Sequence, residues 1–299
     1  QAEGVQVSVL EARDSPGGNV RSVREEGRVL DVAANGWLNS EPAMTELLQL
    51  AGLTERLIPA SDQYDDRFIF ADGSMQPAPM SPPAMLRSRL ISTWAKLRLL
   101  LEPFIGRATG PETVAEFVRR RLGQAFVDRM VGPMVAGVYA SAPEQLSLEA
   151  AFPRMAELEL EHRSLFLAMM RLRRGGAPRG HLQTLDGGAG SLPEALAQGL
   201  DLQLGVSVQG LEPQAQGFRV LTADGSVEAD AVVLACPGHA QVPLVGFDPL
   251  AVAALERIRY APVAVVASAW SREAWERRPE GFGVLVAAHE PVGVLGCLF

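Results

Sequence analysis

VSVLEARDSPGGNVRS, residues 7–22, joins an apolar run to a carboxylate, a turn, a glycine pair and an arginine. The run over 5–11 has the texture of a strand buried on both faces, as in parallel sheets. It stops on Glu11, and Gly17, Gly18 and Arg21 follow within ten residues. The chain around it has 299 residues, 47% of them hydrophobic and 21% charged. That length predicts two domains, or one large domain with an insertion, and that composition excludes a disordered chain. A net charge of −8 argues against non-specific binding to nucleic acid. Cys236 and Cys297 have no C-x-x-C partner, and the four histidines show no ligand spacing, so neither a disulfide framework nor a metal site is expected. No apolar run reaches the ~18 residues of a spanning helix. The expected compartment is reducing, with a cytoplasmic location.

Outward from the opening stretch, the texture changes twice. Val29–Ala34 is a second short apolar segment, closed by Asn35-Gly36. Residues 42–51 have helical spacing, with Pro42 in the first turn and Gly52 past the end. RFIFADGSMQPAP carries an Asp72-Gly73 hairpin signal, and prolines 77, 79, 82 and 83 then break regular structure. From about Ala84 to Leu172 the pattern is helical. One helix over 84–105 is expected to align Leu86, Leu90, Trp94, Leu97 and Leu101, and PETVAEFVRRRLG sets acids early and arginines late, as the helix dipole favours. Further helices are expected over 124–135 and 154–173. From Asp186 the texture reverts: a glycine-rich turn into a helix, a strand in LQLGVSVQGL, a hairpin leading into a buried strand through ADAVVLACPG, and a strand in PVAVVASAW.

In a Rossmann unit an acid at the end of the second strand accepts hydrogen bonds from adenosine ribose hydroxyls. Glu11 stands in that position. Gly17 and Gly18 let backbone approach a pyrophosphate, and Arg21 offers it charge. The whole string, E-x-x-x-x-x-G-G-x-x-R-S, resembles the second-strand signature of FAD enzymes of the flavin amine oxidase superfamily. More segments come in order: LDVAANGWLN, RFIFADG, VAEFVRRRLG, GVYASAPEQLSL, EHRSL, GGAGSLPEAL and ADAVVLACP. Within the superfamily these resemble the protoporphyrinogen oxidase family, with Ala33-Ala34 where family members often carry Gly-Pro and Ala-Ser where they carry Ala-Gly.

The resemblance implies a fold, a cofactor and a reaction. The implied fold is α/β plus α+β: a discontinuous Rossmann-like FAD-binding domain without its first strand and phosphate loop, a helical insertion, and a mixed-sheet substrate domain. The boundaries expected are 1–62 and 186–240 for the FAD-binding parts and 63–150 for the insertion. A substrate-domain helix is expected over 151–185, and an incomplete substrate domain over 241–299. The chain is thus expected to be clipped at both ends. Glu11 maps to the ribose acid, and Ala12, Gly17, Gly18, Asn19 and Arg21 to the turn around the pyrophosphate. Ala34, Asn35, Gly36 and Trp37 map beside the isoalloxazine, and Val208 to the adenine contact.

Arg67 is the expected anchor for a substrate propionate, a fixed cation at the mouth of an apolar cleft. Gly137 is expected at a helix end near substrate, with a structural C-cap as the equal alternative. The implied reaction oxidises protoporphyrinogen IX with FAD and dioxygen and releases hydrogen peroxide, without a catalytic side chain or a metal. Coproporphyrinogen III oxidation, or a non-catalytic fragment of such an enzyme, is the alternative. Arg87, Arg89, Lys96 and Arg98 beside Leu, Ile and Trp make 84–105 a candidate for peripheral contact with the cytoplasmic face of a membrane. A homodimer stays open.

Overall fold

A computed structural model describes residues 4–61, 66–162, 164, 165, 168, 180–274 and 280–299. Along the chain come strands β1 (Ser8–Glu11), β2 (Ser22–Glu25), β3 (Arg28–Asp31) and β4 (Trp37–Leu38), helix α1 (Pro42–Leu50), and strands β5 (Leu57–Pro59), β6 (Arg67–Ala71) and β7 (Ser74–Pro77). The helices after them are α2 (Pro82–Arg87), α3 (Thr93–Leu99), α4 (Val114–Arg121), α5 (Gln124–Phe126), α6 (Gly132–Tyr139), α7 (Leu148–Ala151) and α8 (Pro153–His162). The last third holds β8 (Leu182–Leu185), helix α9 (Ser191–Ala197), β9 (Asp201–Leu204), β10 (Val208–Pro213), β11 (Phe218–Thr222), β12 (Gly225–Ala229), β13 (Gly283–Val286) and β14 (Gly296–Leu298).

These elements fall into two compact units. The first comprises 1–60, 180–260 and 265–267. In it β1 runs parallel to β9, with Glu11 opposite Leu204. Two strands so far apart in sequence pair in parallel because the intervening chain supplies the crossover. A three-stranded sheet in the order β4-β8-β5 packs on α1 through Leu48, Leu53, Leu185 and Leu192. Pro42 opens α1, and Gly52 at φ +66° stands just past its end, as expected from the sequence.

The second unit comprises 61–179, 261–264 and 268–299. Its sheet has the order β14-β13-β6-β7, and Asp72 and Gly73 both take positive φ in the two-residue turn joining β6 to β7. An Asp-Gly pair suits that turn because its twist matches the strands. Helices α4 to α8 pack against it around Ile69, Leu90, Ile91, Phe117, Phe126, Val135 and Leu158.

Three expectations are corrected. The single helix over 84–105 is broken into α2 and α3, because Ser88 ends the first in an extended conformation and the Ser92 hydroxyl caps the second at Ala95 N, 3.3 Å away. Leu90 and Ile91 in the break are buried, whereas Leu86, Trp94, Leu97 and Leu101 are exposed, so the stripe is divided between core and surface. The apolar runs at 231–235 and 262–270 pair with no strand among the described residues, and Val233 and Val266 are 90% and 86% exposed. Apolar texture records a preference for burial; a strand also needs a neighbour to take its backbone hydrogen bonds. LQLGVSVQGL is two strands, β9 and β10, with Gly205 at φ +73° between them. The described part of the helix expected over 154–173 is α8, and most of residues 163–173 lie outside the described residues.

Candidate functional site

Glu11 ends β1 half-buried, and its Oε1 accepts the Arg13 amide at 2.9 Å. The chain leaving β9 runs alongside: Gly205 N donates to Arg13 O at 2.9 Å and Val206 N to Glu11 O at 3.0 Å. This brings Val208, the first residue of β10, to within two residues of the chain that pairs with Glu11. Arg13 Nη1 then reaches the Gly18 carbonyl at 3.1 Å, and Val20 N closes the turn on Gly17 O at 2.8 Å.

The two glycines have separate jobs. A Cβ on Gly17 would lie 2.5 Å from Val20 O and 2.6 Å from Cγ of Pro193 in α9, so the turn is seated on the start of that helix. Gly18, at φ +57°, has nothing within 4 Å of a Cβ position, so its backbone faces open space that a ligand can enter. Ala12, Asn19 and Arg21 are exposed around the same turn.

Past β3, Ala34 and Asn35 are exposed and Gly36 is half-buried, its Cβ position 2.8 Å from Gln183 O. Trp37 pairs with Gln183 in the β4–β8 ladder, and its indole N–H is buried with no hydrogen-bond partner among the described residues. A buried orphan donor is costly unless something accepts from it. Glu11, Ala12, Gly17, Gly18, Asn19, Arg21, Ala34, Asn35, Gly36, Trp37 and Val208 therefore share the first unit.

The glycine-rich turn at 187–190 resembles a phosphate cradle only in sequence. Its amides are already taken: Ala189 N by Asp31 Oδ1 at 3.0 Å and Gly190 N by Ser22 Oγ at 2.9 Å. Its outer edge is held by Arg24, which donates to Gly187 O at 2.9 Å and forks onto Glu194, and by Arg56, which donates to Asp186 O. The Glu194 hydrogen bond holds the Arg24 guanidinium above its ordinary pKa. Sequence reasoning missed Arg13, whose only signal was a basic residue two past the strand-ending acid. It also missed Ser22, Arg24, Asp31 and Arg56, whose partners lie about 130 to 170 residues away and leave no local pattern.

In the second unit Arg67 opens β6 at the exposed end, its guanidinium 5.0 Å from the Phe282 ring centre. Gly137 lies in the last turn of α6, where a Cβ would strike Leu285 of β13, and Ala140 at φ 48° is the actual C-cap. The C-cap alternative for Gly137 is thus replaced by close helix–strand contact. The arginines at the end of α4 do more than meet a dipole. Arg121 is fully buried, donating to Glu102 at 3.1 Å and to Glu159, while Arg120 bridges Glu112 and Glu159. Burial raises the Glu159 carboxyl, but Arg120 and Arg121 outweigh it and leave the group below its ordinary range. Asp72, His289 and Glu290 bring ligand-type atoms within 4.8 Å of one another, yet the Arg129 guanidinium already forks onto Asp72 and supplies a cation there. A depression of about 490 Å³ lined by Arg107, Thr109, Glu112 and Arg120 includes none of the residues chosen from sequence.

Comparison with known proteins identifies the family. Residues 1–295 match the family model described as flavin containing amine oxidoreductase. The chain belongs to that family. It is similar to protoporphyrinogen oxidase 2, chloroplastic/mitochondrial, of Arabidopsis thaliana, at 28% identity over 100% of this chain and 67% of the relative. Human protoporphyrinogen oxidase shares 30%, over 98% and 67%, and coproporphyrinogen III oxidase of Staphylococcus aureus shares 26%, over 99% and 69%. A solved structure from Exiguobacterium sp. 255-15, assigned as a protoporphyrinogen oxidase, superposes with a TM-score of 0.78 at 22% identity, over 98% of this chain and 66% of that one. The chain thus spans about two thirds of the length of these relatives.

Membership defines the class, a flavin-dependent oxidoreductase with FAD as cofactor. The residues present fit the adenosine-diphosphate half of that group: a strand-end carboxylate for a diol, Arg13 and Arg21 for phosphate charge, and open backbone at Gly18.

Proposed function

We propose that the chain oxidises a porphyrinogen to a porphyrin with FAD. Its preferred substrate is protoporphyrinogen IX, and dioxygen takes up the electrons. Three two-electron oxidations convert the macrocycle, and each reduces one dioxygen to hydrogen peroxide. FAD supplies the hydride acceptance; the chain's own residues bind, orient and exclude water. On this reading Glu11 holds the ribose, the Arg13–Arg21 turn holds the pyrophosphate, and residues 34–37 flank the ring. Val208 lies at the adenine. The first unit is the cofactor unit and the second carries the substrate contacts.

The observation that carries the substrate choice is Arg67, a guanidinium steadied over Phe282 at the head of a mixed sheet. One oriented fork suits a single propionate. Coproporphyrinogen III, with four carboxylates, is the second reading, favoured by relatives named for that reaction. Porphyrin fluorescence during turnover of the two porphyrinogens decides between them, and faster coproporphyrin production overturns the preference. Flavin absorbance retained after desalting tests the cofactor assignment.

We further propose peripheral membrane contact through the α2–α3 region. Trp94 and Phe104 are 82% and 81% exposed, beside exposed Met80, Leu86, Leu100 and Leu101. Among the described residues no helix is long and apolar enough to cross a membrane. Lys96 and Arg98 are turned inward onto the carbonyls of Leu86, Ser88, Arg119 and Arg120, so apolar insertion, more than charge, is the expected driving force. Co-sedimentation with neutral phosphatidylcholine vesicles, and its loss in Trp94→Ser/Phe104→Ser, checks this.

A further inference from the structure

Two stretches assigned to the cofactor in the first unit, the 17–21 turn and the segment that leads into 34–37, are joined to the 187–190 turn by one pair of side chains, Ser22 and Asp31. Ser22 is 9% exposed and immediately follows Arg21. Asp31 ends β3, three residues before Ala34, and Val32 N donates to Arg21 O at 2.9 Å. The Ser22 hydroxyl donates to Asp31 Oδ1 at 2.5 Å and accepts from Gly190 N at 2.9 Å. Asp31 Oδ1 also accepts from Ala189 N at 3.0 Å. Gly190 leads into α9, whose Pro193 seats Gly17. The pair therefore ties the end of the 17–21 turn and the end of β3, which leads into the 34–37 segment, onto the 187–190 turn. The fit leaves no slack: a Cβ on Gly188 would collide with Ser22 Oγ, and one on Gly190 would lie 2.6 Å from Ser22 N.

The same contacts decide where an anion can bind. Successive amides in a glycine-rich turn ahead of a helix form an anion-binding concavity. Here Asp31 and Ser22 occupy that concavity from inside, so the turn holds the protein's own carboxylate. An incoming pyrophosphate is left with the other glycine turn, where Gly18 is open.

We propose that Ser22 and Asp31 are positioning residues for the flavin cofactor: they fix the spacing between its phosphate-binding turn and its ring-flanking segment, and they close the second glycine turn to phosphate. This rests on the FAD reading above. Because the two act as a unit, their deletions are non-additive. Ser22→Ala and Asp31→Ala are each expected to weaken FAD binding about tenfold, the scale of a hydrogen bond to a charged group, and the double variant no further. Asp31→Asn keeps the Oδ1 acceptor and is expected to stay within about threefold of wild type. Formate, which can accept from the freed Ala189 amide and the Ser22 hydroxyl, is expected to restore FAD affinity to Asp31→Ala.

The experiment titrates the full chain and these variants with FAD, following flavin fluorescence, visible circular dichroism of the bound flavin, and the Tm of the FAD-free protein. Leu48→Ala, a core substitution in the same unit, is the control for plain destabilisation. The expected result is weaker FAD binding and an altered flavin dichroism in Ser22→Ala and Asp31→Ala, rescue by asparagine and by formate, and near-normal FAD affinity in Leu48→Ala despite its lower Tm. Wild-type affinity in both alanine variants overturns the proposal. So does a loss of affinity that merely tracks Tm, as in Leu48→Ala. A wild-type chain that takes up no FAD refutes the cofactor reading itself, a failure distinct from that of the positioning pair.

Discussion

Gly137 and Arg67 show how one position can be decided by a neighbour remote in sequence. Leu285 fills the space a side chain would need on α6, so Gly137→Ala forces α6 and β13 apart. Overpacking of this kind costs about 1–3 kcal/mol; a urea titration is expected to show it as a lower midpoint at unchanged slope. At Arg67 the ring of Phe282 orients a planar cation. Arg67→Ala is expected to raise KM for protoporphyrinogen about tenfold or more, the scale of one lost charge-assisted hydrogen bond. Arg67→Lys keeps the charge but not the fork and recovers only part of that loss. An unchanged KM in Arg67→Ala removes it from the substrate site.

Among the elements, α4 carries the most organised local chemistry. Thr113 caps it by accepting Glu116 N at 3.2 Å, and Glu116 returns the contact to Thr113 N at 2.8 Å. That backbone donation, with the Thr113 hydroxyl, holds the Glu116 carboxyl below its ordinary range. At the other end, Arg121 joins Glu102, in the connection between α3 and α4, and Glu159 of α8 in the buried interior, with Ser164 Oγ and Leu165 N also donating to Glu102. Removing one partner strands the others. Arg121→Met is expected to destabilise the chain by about 3–5 kcal/mol, the range for breaking a buried ion pair, measured by chemical denaturation. A loss below about 1 kcal/mol would mean the pair contributes no more than an exposed one. The cap at α3 is a smaller matter: Ser92→Ala is expected to cost about 1 kcal/mol.

Across the whole molecule, the acid groups set the pH response. Asp72 is lowered by its hydrogen bonds from Arg129, Glu116 by Thr113, and Glu159 by the two arginines that outweigh its burial. A carboxyl depressed in the folded state contributes stability that is fully present above its unfolded pKa and lost as pH falls through the folded one. Tm is therefore expected to hold from neutrality down to about pH 4, the unfolded carboxylate range, and to fall below it. Glu159→Gln is expected to start from a lower Tm at pH 7 and to lose less on acidification. A Tm that rises as the pH drops would contradict the sign. The second unit holds all three groups, so acid is expected to act there first.

Local chemistry was enough to mark Glu11 as a strand-ending acid, the Asp72-Gly73 hairpin and the ends of α1, because each depends on residues within a few positions of one another. The glycine turn after Glu11 and the family resemblance were legible for the same reason. Tertiary structure alone decided that Ser22 and Asp31 meet the 189–190 amides, that the 84–105 stripe divides between core and surface, and that two apolar runs stay unpaired among the described residues. Those outcomes turn on which distant groups come within hydrogen-bonding or packing distance. Hydrophobic periodicity carries no information about a partner on the order of 160 residues away.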